Sequence, residues 1–411
     1  MSEDKIYPRF LEEAAFSPEM GRQMRFIAGP RQCGKTTIAK HQLEKVNSSL
    51  LYYNWDKKSV RKRFREESSF LENDLINMGS KNHYWVCFDE IHKMPRWKNI
   101  LKDFFDTYEN KVTYIVTGSA RLDLFRRAGD SLAGRYFLFR LNPFILSEIL
   151  KKPVKNILPE KDGQLTIEKF ISFPNYYQTE LEQLLHFSGF PEPFLSNNAL
   201  FAKKWQQDYF ERIIKEDLRD ISHIHMLEKV LDLLYLLPIK IGSPLSLNSL
   251  RQDLDVHVNT IKNYIRYLVL SYVLFEISPY YQKKSRLVKK EKKVYFYNWL
   301  DLTDEAKRFE NYVAFELKSR VDLWNDLLVE NYELFFVRSR DGGESDFLIT
   351  KNKQPFLLCE AKLSDKEIAQ HHYRHREFLN NVPFVQIIKE PNILSAKTKG
   401  MYIVSASRFF A

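Results

Sequence analysis

Short apolar runs alternate with amphipathic stretches over the first third of the chain. The apolar runs predict buried strands at residues 24–28, 50–55, 84–88, 112–116 and 136–141. Helical patterns lie between them, from about residue 35 and around 68–78 and 97–109. Strands that alternate with helices are typical of a parallel α/β sheet covered on both faces.

The pattern changes after residue 150. Residues 165–237 are mostly helical in character, 240–280 predict a helix-turn-helix followed by a strand, and helices and strands alternate again from about 294. We therefore predict four parts. They are a P-loop-type parallel α/β domain (1–150), a helical connecting region (151–237), a winged-helix-like segment (238–293) and a second α/β domain (294–411).

The winged-helix prediction is specific in its details. Residues 247–254 form its first short helix, Asn259 caps the second, and 273–277 form the wing strand. Lys262 and Arg266 project from the second helix, which would be the recognition helix.

Composition narrows the classes of partner. The 411 residues carry 63 Lys and Arg against 53 Asp and Glu, a formal net charge of +10 that favours a polyanionic partner such as nucleic acid. Cys33, Cys87 and Cys359 lie far apart, which disfavours disulfides and zinc and indicates a reducing, cytoplasmic location. No apolar run approaches the ~20 residues of a membrane span, so no membrane partner is expected.

Residues 29–36 read Gly-Pro-Arg-Gln-Cys-Gly-Lys-Thr and match the P-loop pattern at every fixed position. Glycines let backbone N–H groups curl around phosphates, the lysine reaches the β- and γ-phosphates, and the final threonine ligates magnesium. We predict that ATP contacts Gly29, Pro30, Arg31, Gln32, Cys33, Gly34, Lys35, Thr36 and Thr37.

Two acids follow the third predicted strand. Asp89 is expected to hold Mg²⁺ together with Thr36, and Glu90 to orient or deprotonate the attacking water. At the tip of the fourth strand, Ser119 or Thr117 is a candidate sensor of the γ-phosphate. Arg135 either completes the site, in its own or a neighbouring subunit, or is a plain surface arginine.

A second constellation lies near the C-terminus. Strands at 345–350 and 355–359 are joined by a turn at 352–354, and a turn centred on Lys353 places Asp346 opposite Glu360. Alternation puts Lys362 on the same face as Glu360.

Two carboxylates that close together invite a divalent cation, as in the PD-(D/E)xK nucleases. A helix over 304–320 could supply a third acid, Glu310 or Glu316. The opposing reading is a plain hairpin with exposed charges, or a degenerate nuclease fold kept for binding.

Two other signals remain open. Residues 282–294 carry seven Lys or Arg residues, including Lys292 and Lys293, and predict either a phosphate-contacting wing or a solvated basic loop. His371, His372 and His375 favour a solvated helix face over a metal site.

These motifs together resemble the AAA+-type ATP-binding proteins of bacteria and archaea. Those proteins carry a C-terminal domain of unknown function that is similar to a winged helix followed by a restriction-endonuclease-like fold. The resemblance rests on residues 29–36, 89–93 with Pro95 and Trp97, 117–120, 132–135, 189–192, 278–280, 309–311, 344–347 and 360–362. It implies an ATPase fold and favours Glu310 as the third metal ligand. One departure is the sequence Tyr-Asn-Trp-Leu at 297–300, where the family usually has Asp-x-Gly after a Lys-x-Tyr strand.

The sequence thus predicts an ATPase that uses ATP and Mg²⁺ and acts on nucleic acid. Its C-terminal domain is either a metal-dependent nuclease, with Glu310, Asp346 and Glu360 as ligands and Lys362 as catalytic residue, or an inactive nuclease fold. In the second case the protein is an ATP-gated DNA- or protein-binding switch. A nucleotide-dependent regulator that never contacts DNA is a third hypothesis.

Overall fold

The structure is a computed structural model that describes residues 7–67, 69–79, 82–108, 110–118, 132–213, 227–281, 291–364 and 367–411. These residues divide into two compact units. The N-terminal unit comprises residues 9–143 with 270–272, and the C-terminal unit comprises the described residues of 144–269 and 273–411 together with Tyr7 and Pro8.

The N-terminal unit contains a five-stranded sheet in the order β2-β3-β4-β1-β5, with every neighbouring pair parallel. The strands are β1 Met24–Ala28, β2 Tyr52–Asn54, β3 Tyr84–Asp89, β4 Val112–Thr117 and β5 Tyr136–Arg140. Its helices are Phe10–Ala15, Lys35–Lys45, Lys58–Glu66, Phe70–Asn77 and Trp97–Tyr108, with single 3-10 turns at Pro18–Met20, Ser49–Leu51 and Ile91–Lys93.

Every residue of β1 and β4 is buried, as expected of central strands covered on both faces. The predicted fold class is therefore confirmed. Because β1, β3 and β4 are parallel, their carboxyl ends lie at one edge of the sheet, where open α/β sheets bind their ligands.

The C-terminal unit is built on an eight-stranded mixed sheet in the order β12-β13-β11-β10-β9-β8-β6-β7. Its strands are β6 Leu274–Pro279, β7 Lys293–Phe296, β8 Tyr332–Arg338, β9 Glu344–Lys351, β10 Gln354–Lys362, β11 Phe384–Ile388, β12 Leu394–Thr398 and β13 Met401–Ser405. The helices are Leu146–Ile149, Gly163–Ser172, Gln178–Phe187, Pro191–Ser196, Ala199–Arg212, Leu227–Leu236, Leu247–Leu254, Val258–Leu270, Glu305–Leu327, Gln370–Phe378 and Ala406–Phe409, with 3-10 turns at Val154–Asn156 and Leu237–Lys240.

The two helices of the expected helix-turn-helix are present, with small corrections. The first spans Leu247–Leu254 as predicted, but the second begins at Val258, so Asn259 lies inside its first turn and is not its cap. The N–H groups of Thr260 and Ile261 donate to the carbonyl of His257 instead. The expected wing strand is β6, which pairs with β7 on one side and β8 on the other, so the wing is part of the large sheet.

The long helix Glu305–Leu327 begins where the sequence predicts it and ends about two turns later than expected. Asp304 caps it by accepting a hydrogen bond from the Lys307 N–H. Across the described chain, no helix combines the length and the apolar character that crossing a bilayer demands.

Candidate functional site

The P-loop connects β1 to the helix Lys35–Lys45, and its backbone explains its glycines. A Cβ at Gly29 would lie 2.1 Å from the carbonyl oxygen of Leu141, so no larger residue fits there. Gly34 has a φ of +104°, a conformation that L-residues avoid, and it precedes the first helical residue. The loop therefore turns tightly into a helix N-terminus, the geometry that binds phosphate.

The other residues of the motif follow this path. Arg31 and Gln32 are half-buried, Cys33 is buried, and Thr36 and Thr37 lie half-buried and exposed in the first helical turn. Lys35 is only 6% exposed, and its ammonium donates to the carbonyl oxygens of Gly29, at 2.9 Å, and Pro30.

A buried arginine that sequence reasoning missed supports this loop. Arg9 donates through Nη1 to the carbonyl oxygen of Cys33 at 3.0 Å, and through Nη2 to the carbonyl oxygen of Asn142. It thereby ties the P-loop to the segment that follows β5. A single arginine ahead of a short helix carries no local signal of this role.

Asp89 is the last residue of β3, and its carboxylate accepts several hydrogen bonds at the carboxyl edge of the parallel sheet. It accepts hydrogen bonds from Thr36 Oγ1 at 2.9 Å, from the Tyr52 hydroxyl on β2 and from Thr117 Oγ1 on β4. The pairing of Thr36 with Asp89 matches the prediction, whereas Tyr52 was missed. A hydroxyl and a carboxylate are the hard oxygen ligands that Mg²⁺ prefers, so this donor set fits the ion.

Glu90 follows Asp89 in a left-handed conformation, with a φ of +56°. Such strain in a non-glycine residue is concentrated at functional sites. Burial raises the pKa of its carboxyl to about 7, and the nearby ammonium of Lys35 opposes that rise. A carboxyl with this pKa is poised to act as a general base near neutral pH.

The remaining predicted residues of the ATP site are placed less directly. The Thr117 hydroxyl is committed to Asp89, and Ser119 lies outside the described residues. Arg135 pairs with Asp106 through Nε at 2.9 Å and Nη2 at 3.1 Å, so in this structure it is a surface ion pair.

In the C-terminal unit, β9 and β10 form the expected antiparallel hairpin, but its register arises differently. The turn consists of Asn352 and Lys353 alone, both at positive φ, because Gln354 already pairs with Lys351. That two-residue turn by itself would place Asp346 opposite Cys359. A β-bulge at Phe356 shifts the register by one residue, so that Cys359 pairs with Phe347 and the next residues along the two strands are Glu360 and Asp346, as predicted.

Two hydrogen bonds fix these acids against the hairpin. The Asp346 N–H donates to Glu360 Oε2 at 3.0 Å, and the Ala361 N–H donates to Asp346 Oδ2 at 3.1 Å. Burial and the neighbouring Asp346 raise the pKa of the Glu360 carboxyl to about 8, while Lys362, whose ammonium contacts Glu360 Oε1, opposes the rise.

The structure separates the two candidates for the third acid. Glu310 accepts a hydrogen bond from the Tyr295 hydroxyl at 2.8 Å and lies near Asp346, which raises its pKa in addition to the larger effect of burial. Glu316 instead accepts from the Leu146 N–H at 2.7 Å and from the Tyr312 hydroxyl. Glu310 therefore joins Glu344, Asp346 and Glu360 in what we call the carboxylate cluster.

A lysine lies among three of these four carboxylates. Lys293 is fully buried, and its Nζ lies 2.7 Å from Glu344, 3.2 Å from Asp346 and 3.4 Å from Glu310. Burial alone would lower the pKa of Lys293, but the three carboxylates outweigh it and raise the pKa above its ordinary value. Both readings of the basic segment, a phosphate-contacting wing and a solvated loop, are wrong for Lys293, because its side chain is buried. Residues 282–290 of that segment lie outside the described residues.

The histidines were also misplaced. His372 and His375 are buried, and the Nδ1 atoms of both rings lie within hydrogen-bond distance of Ser345 Oγ, at 2.7 and 2.9 Å. They therefore pack the helix Gln370–Phe378 onto β9 and do not form a solvated face. Within the described ranges, no group of three or more His, Cys, Asp and Glu side chains is arranged to hold a metal ion.

Two family models match the chain. Residues 21–150 match the model described as AAA domain, and residues 178–299 match a domain of unknown function, DUF8612. Together with the parallel sheet and the P-loop, the first match assigns residues 21–150 to the AAA class of P-loop nucleotide-binding domains.

The similar curated proteins are themselves uncharacterized. One, from Methanocaldococcus jannaschii, is 26% identical over 294 residues, which cover 67% of this chain and 60% of that protein. Another, from Mycobacterium bovis, is 18% identical over 338 residues, which cover 80% of this chain and 68% of that protein. The chain thus spans less than two thirds of the length of the first of these relatives.

Among solved structures, the Orc1 protein of Aeropyrum pernix in complex with DNA matches with a TM-score of 0.27 and 14% identity, over 76% of this chain and 91% of that one. Cdc6p of Pyrobaculum aerophilum matches with a TM-score of 0.26 and 14% identity, over 71% of this chain and 92% of that one. TM-scores this low support no conclusion about function.

Proposed function

We propose that the N-terminal unit binds ATP with Mg²⁺ and hydrolyses it. The observation that supports this best is the convergence of Lys35, the Thr36–Asp89 pair and Glu90 at one edge of the parallel sheet. These are the parts that phosphoryl transfer to water requires: a phosphate cradle, a metal-binding pair and a water-orienting base.

Each residue has a distinct task in this proposal. The ammonium of Lys35 and the N–H groups of the P-loop bind phosphate oxygens. Thr36 and Asp89 hold Mg²⁺, which when bound offsets the negative charge of the phosphates. Glu90 orients the attacking water and accepts its proton. Ser119 and Arg135 remain proposed contributors near the γ-phosphate, and Arg135 has to leave Asp106 to act there.

The test is Mg²⁺-dependent phosphate release from ATP by the full chain. We expect release by the wild type, and almost none by the Glu90→Gln variant although that variant still binds ATP. Equal hydrolysis by the two proteins would refute the role of Glu90.

For the C-terminal unit we propose nucleic-acid binding without cleavage, which makes the protein an ATP-gated switch. Two observations favour this over a nuclease. Lys262 and Arg266 are exposed on the second helix of the helix-turn-helix pair. Lys293 lies between Glu310 and Asp346, two of the three acids that a nuclease would need for its metal.

Duplex binding measured across a salt series tests this second function. If Lys262 and Arg266 neutralise phosphates, the Lys262→Ser, Arg266→Ser double variant should lower the log–log salt slope by about 0.9 for each phosphate that is no longer neutralised. An unchanged slope places the interface elsewhere, and Mg²⁺-dependent cleavage that Glu360→Ala abolishes would restore the nuclease hypothesis.

A further inference from the structure

The surroundings of Lys293 differ from those of an ordinary surface lysine. Lys293 is the first residue of β7. Its side chain is fully shielded from solvent, and its Nζ lies 5.5 Å from the ring centre of Phe336. Its three carboxylate partners come from two elements: Glu310 from the helix Glu305–Leu327, and Glu344 and Asp346 from β9.

The distances show how these oxygens hold the Lys293 ammonium. Three oxygens converge on one point at 2.7, 3.2 and 3.4 Å. Magnesium and calcium take oxygen ligands at about 2.0–2.6 Å, whereas an ammonium donates hydrogen bonds at about 2.7–3.2 Å. An ammonium also has three donors, one for each carboxylate. The contacts to Glu344 and Asp346 fall in the ammonium range, and the contact to Glu310 is slightly longer, so each donor of the Lys293 ammonium faces one carboxylate.

Charge makes the lysine and the cage depend on one another. Three carboxylates brought together away from water repel one another unless a cation lies among them, and a buried ammonium equally needs anions. Lys362 does not fill this need, because its described contact is with Glu360 and it is partly exposed. Arg338 also pairs with Glu344, at 3.8 Å, but its side chain is exposed. Lys293 is therefore the buried cation that these three acids share.

We infer that Glu310, Glu344 and Asp346 form a cation site that the chain fills with its own Lys293, so that Lys293 keeps divalent cations out of this site. This inference rests on and deepens the proposed switch function, since Glu310 and Asp346 are two of the three acids that the nuclease hypothesis needs for its metal. It is independent of ATP hydrolysis by the N-terminal unit.

The experiment measures Mn²⁺ binding and thermal unfolding of the nucleotide-free full chain, in EDTA and in Mn²⁺. The variant Lys293→Met keeps the length of the side chain and removes its charge. The control is Lys318→Met, because Lys318 lies on the same helix as Glu310 but pairs with the single carboxylate of Asp322. ATP hydrolysis by each variant reports separately on the N-terminal unit.

We expect no Mn²⁺-dependent rise in melting temperature for the wild type or Lys318→Met. Lys293→Met should melt lower in EDTA, recover by several degrees in Mn²⁺, and lose that recovery when Asp346→Asn is added. If Lys293→Met does not fold, Lys293→Met with Glu344→Gln removes one positive and one negative charge together and should show a weaker rise in melting temperature with Mn²⁺, which Asp346→Asn again abolishes. Mn²⁺ binding by the wild type that Asp346→Asn abolishes overturns the inference, as does a folded Lys293 variant that gains no Mn²⁺ affinity.

Discussion

Two lysines are buried among the residues that the structure describes, and their partners differ in charge. Lys35 in the N-terminal unit contacts two neutral carbonyl oxygens, whereas Lys293 in the C-terminal unit contacts three carboxylates. Hydrogen bonds between a cation and an anion are roughly twice as strong as those between neutral groups. The Lys35 ammonium would therefore form stronger hydrogen bonds to a phosphate than it forms to its present carbonyl partners, whereas Lys293 already has anionic partners. Burial alone therefore does not mark a functional lysine; the charge of its partners does.

The largest effect should come from removing the positive charge of Lys35, which should weaken ATP binding. Lys35→Met should weaken ATP binding by about 100-fold or more, because backbone N–H groups cannot replace a buried ammonium at the phosphates. Lys40→Met is the matched control, since Lys40 is exposed on the same helix. Calorimetric titration with ATP and Mg²⁺ measures both. Similar losses in the two variants would contradict the comparison.

The second-largest effect should come from removing the proposed general base, Glu90, which should slow hydrolysis. Glu90→Gln should lower the rate of hydrolysis by about 10²–10⁴-fold and leave ATP affinity nearly unchanged. The amide keeps the shape of the side chain but cannot accept the proton. Single-turnover hydrolysis together with equilibrium binding separates these effects, and a parallel loss of affinity would assign Glu90 to nucleotide binding.

Replacing Lys293 in the C-terminal unit should lower the stability of the fold and leave ATP binding unchanged. Lys293→Met leaves three carboxylates without their cation and should cost about 3–5 kcal/mol in the free energy of unfolding in EDTA. Lys318→Met breaks one partly exposed pair and should cost about 0–1 kcal/mol. Urea unfolding followed by circular dichroism measures both. Equal costs would show that Lys293 is not the essential cation of the cluster.

A smaller effect should appear in the pH profile of hydrolysis. Burial raises the pKa of Glu90 to about 7, and the base works only when it is ionised. The rate should therefore rise with pH, by about tenfold between pH 6 and pH 8. A profile that is flat over this range, at saturating ATP and Mg²⁺, would remove Glu90 as the titrating group.

The sequence could predict which residues of the N-terminal site lie together, because that information is local. Gly29, Lys35 and Thr36 lie within one loop and one helical turn, and Asp89 and Glu90 end one apolar strand. In a parallel sheet the carboxyl ends of the strands lie at the same edge, so these residues come together without any additional sequence signal. Tyr52 and Arg9 could not be found, because their roles depend on which strand neighbours β3 and on the path of the segment after β5.

The C-terminal cluster was predicted only in part, because its members come from separate elements. Asp346 and Glu360 were paired correctly, yet the pairing depends on a bulge at Phe356 that no sequence pattern announces. Lys293 ends a basic run and was interpreted with it. The alternation along β7 held a usable signal: Lys293 and Tyr295 lie two residues apart and both contact Glu310, whereas Lys292 pairs with Glu276.

One measurement tests the contrast between the two lysines most directly: anomalous scattering from a crystal of the Glu90→Gln variant grown with ATP and Mn²⁺. We expect a manganese peak at Thr36 and Asp89, with the Lys35 ammonium in contact with the phosphates, and no peak among Glu310, Glu344 and Asp346. A peak inside the carboxylate cluster with Lys293 displaced, or nucleotide bound without metal at Asp89, would contradict this expectation.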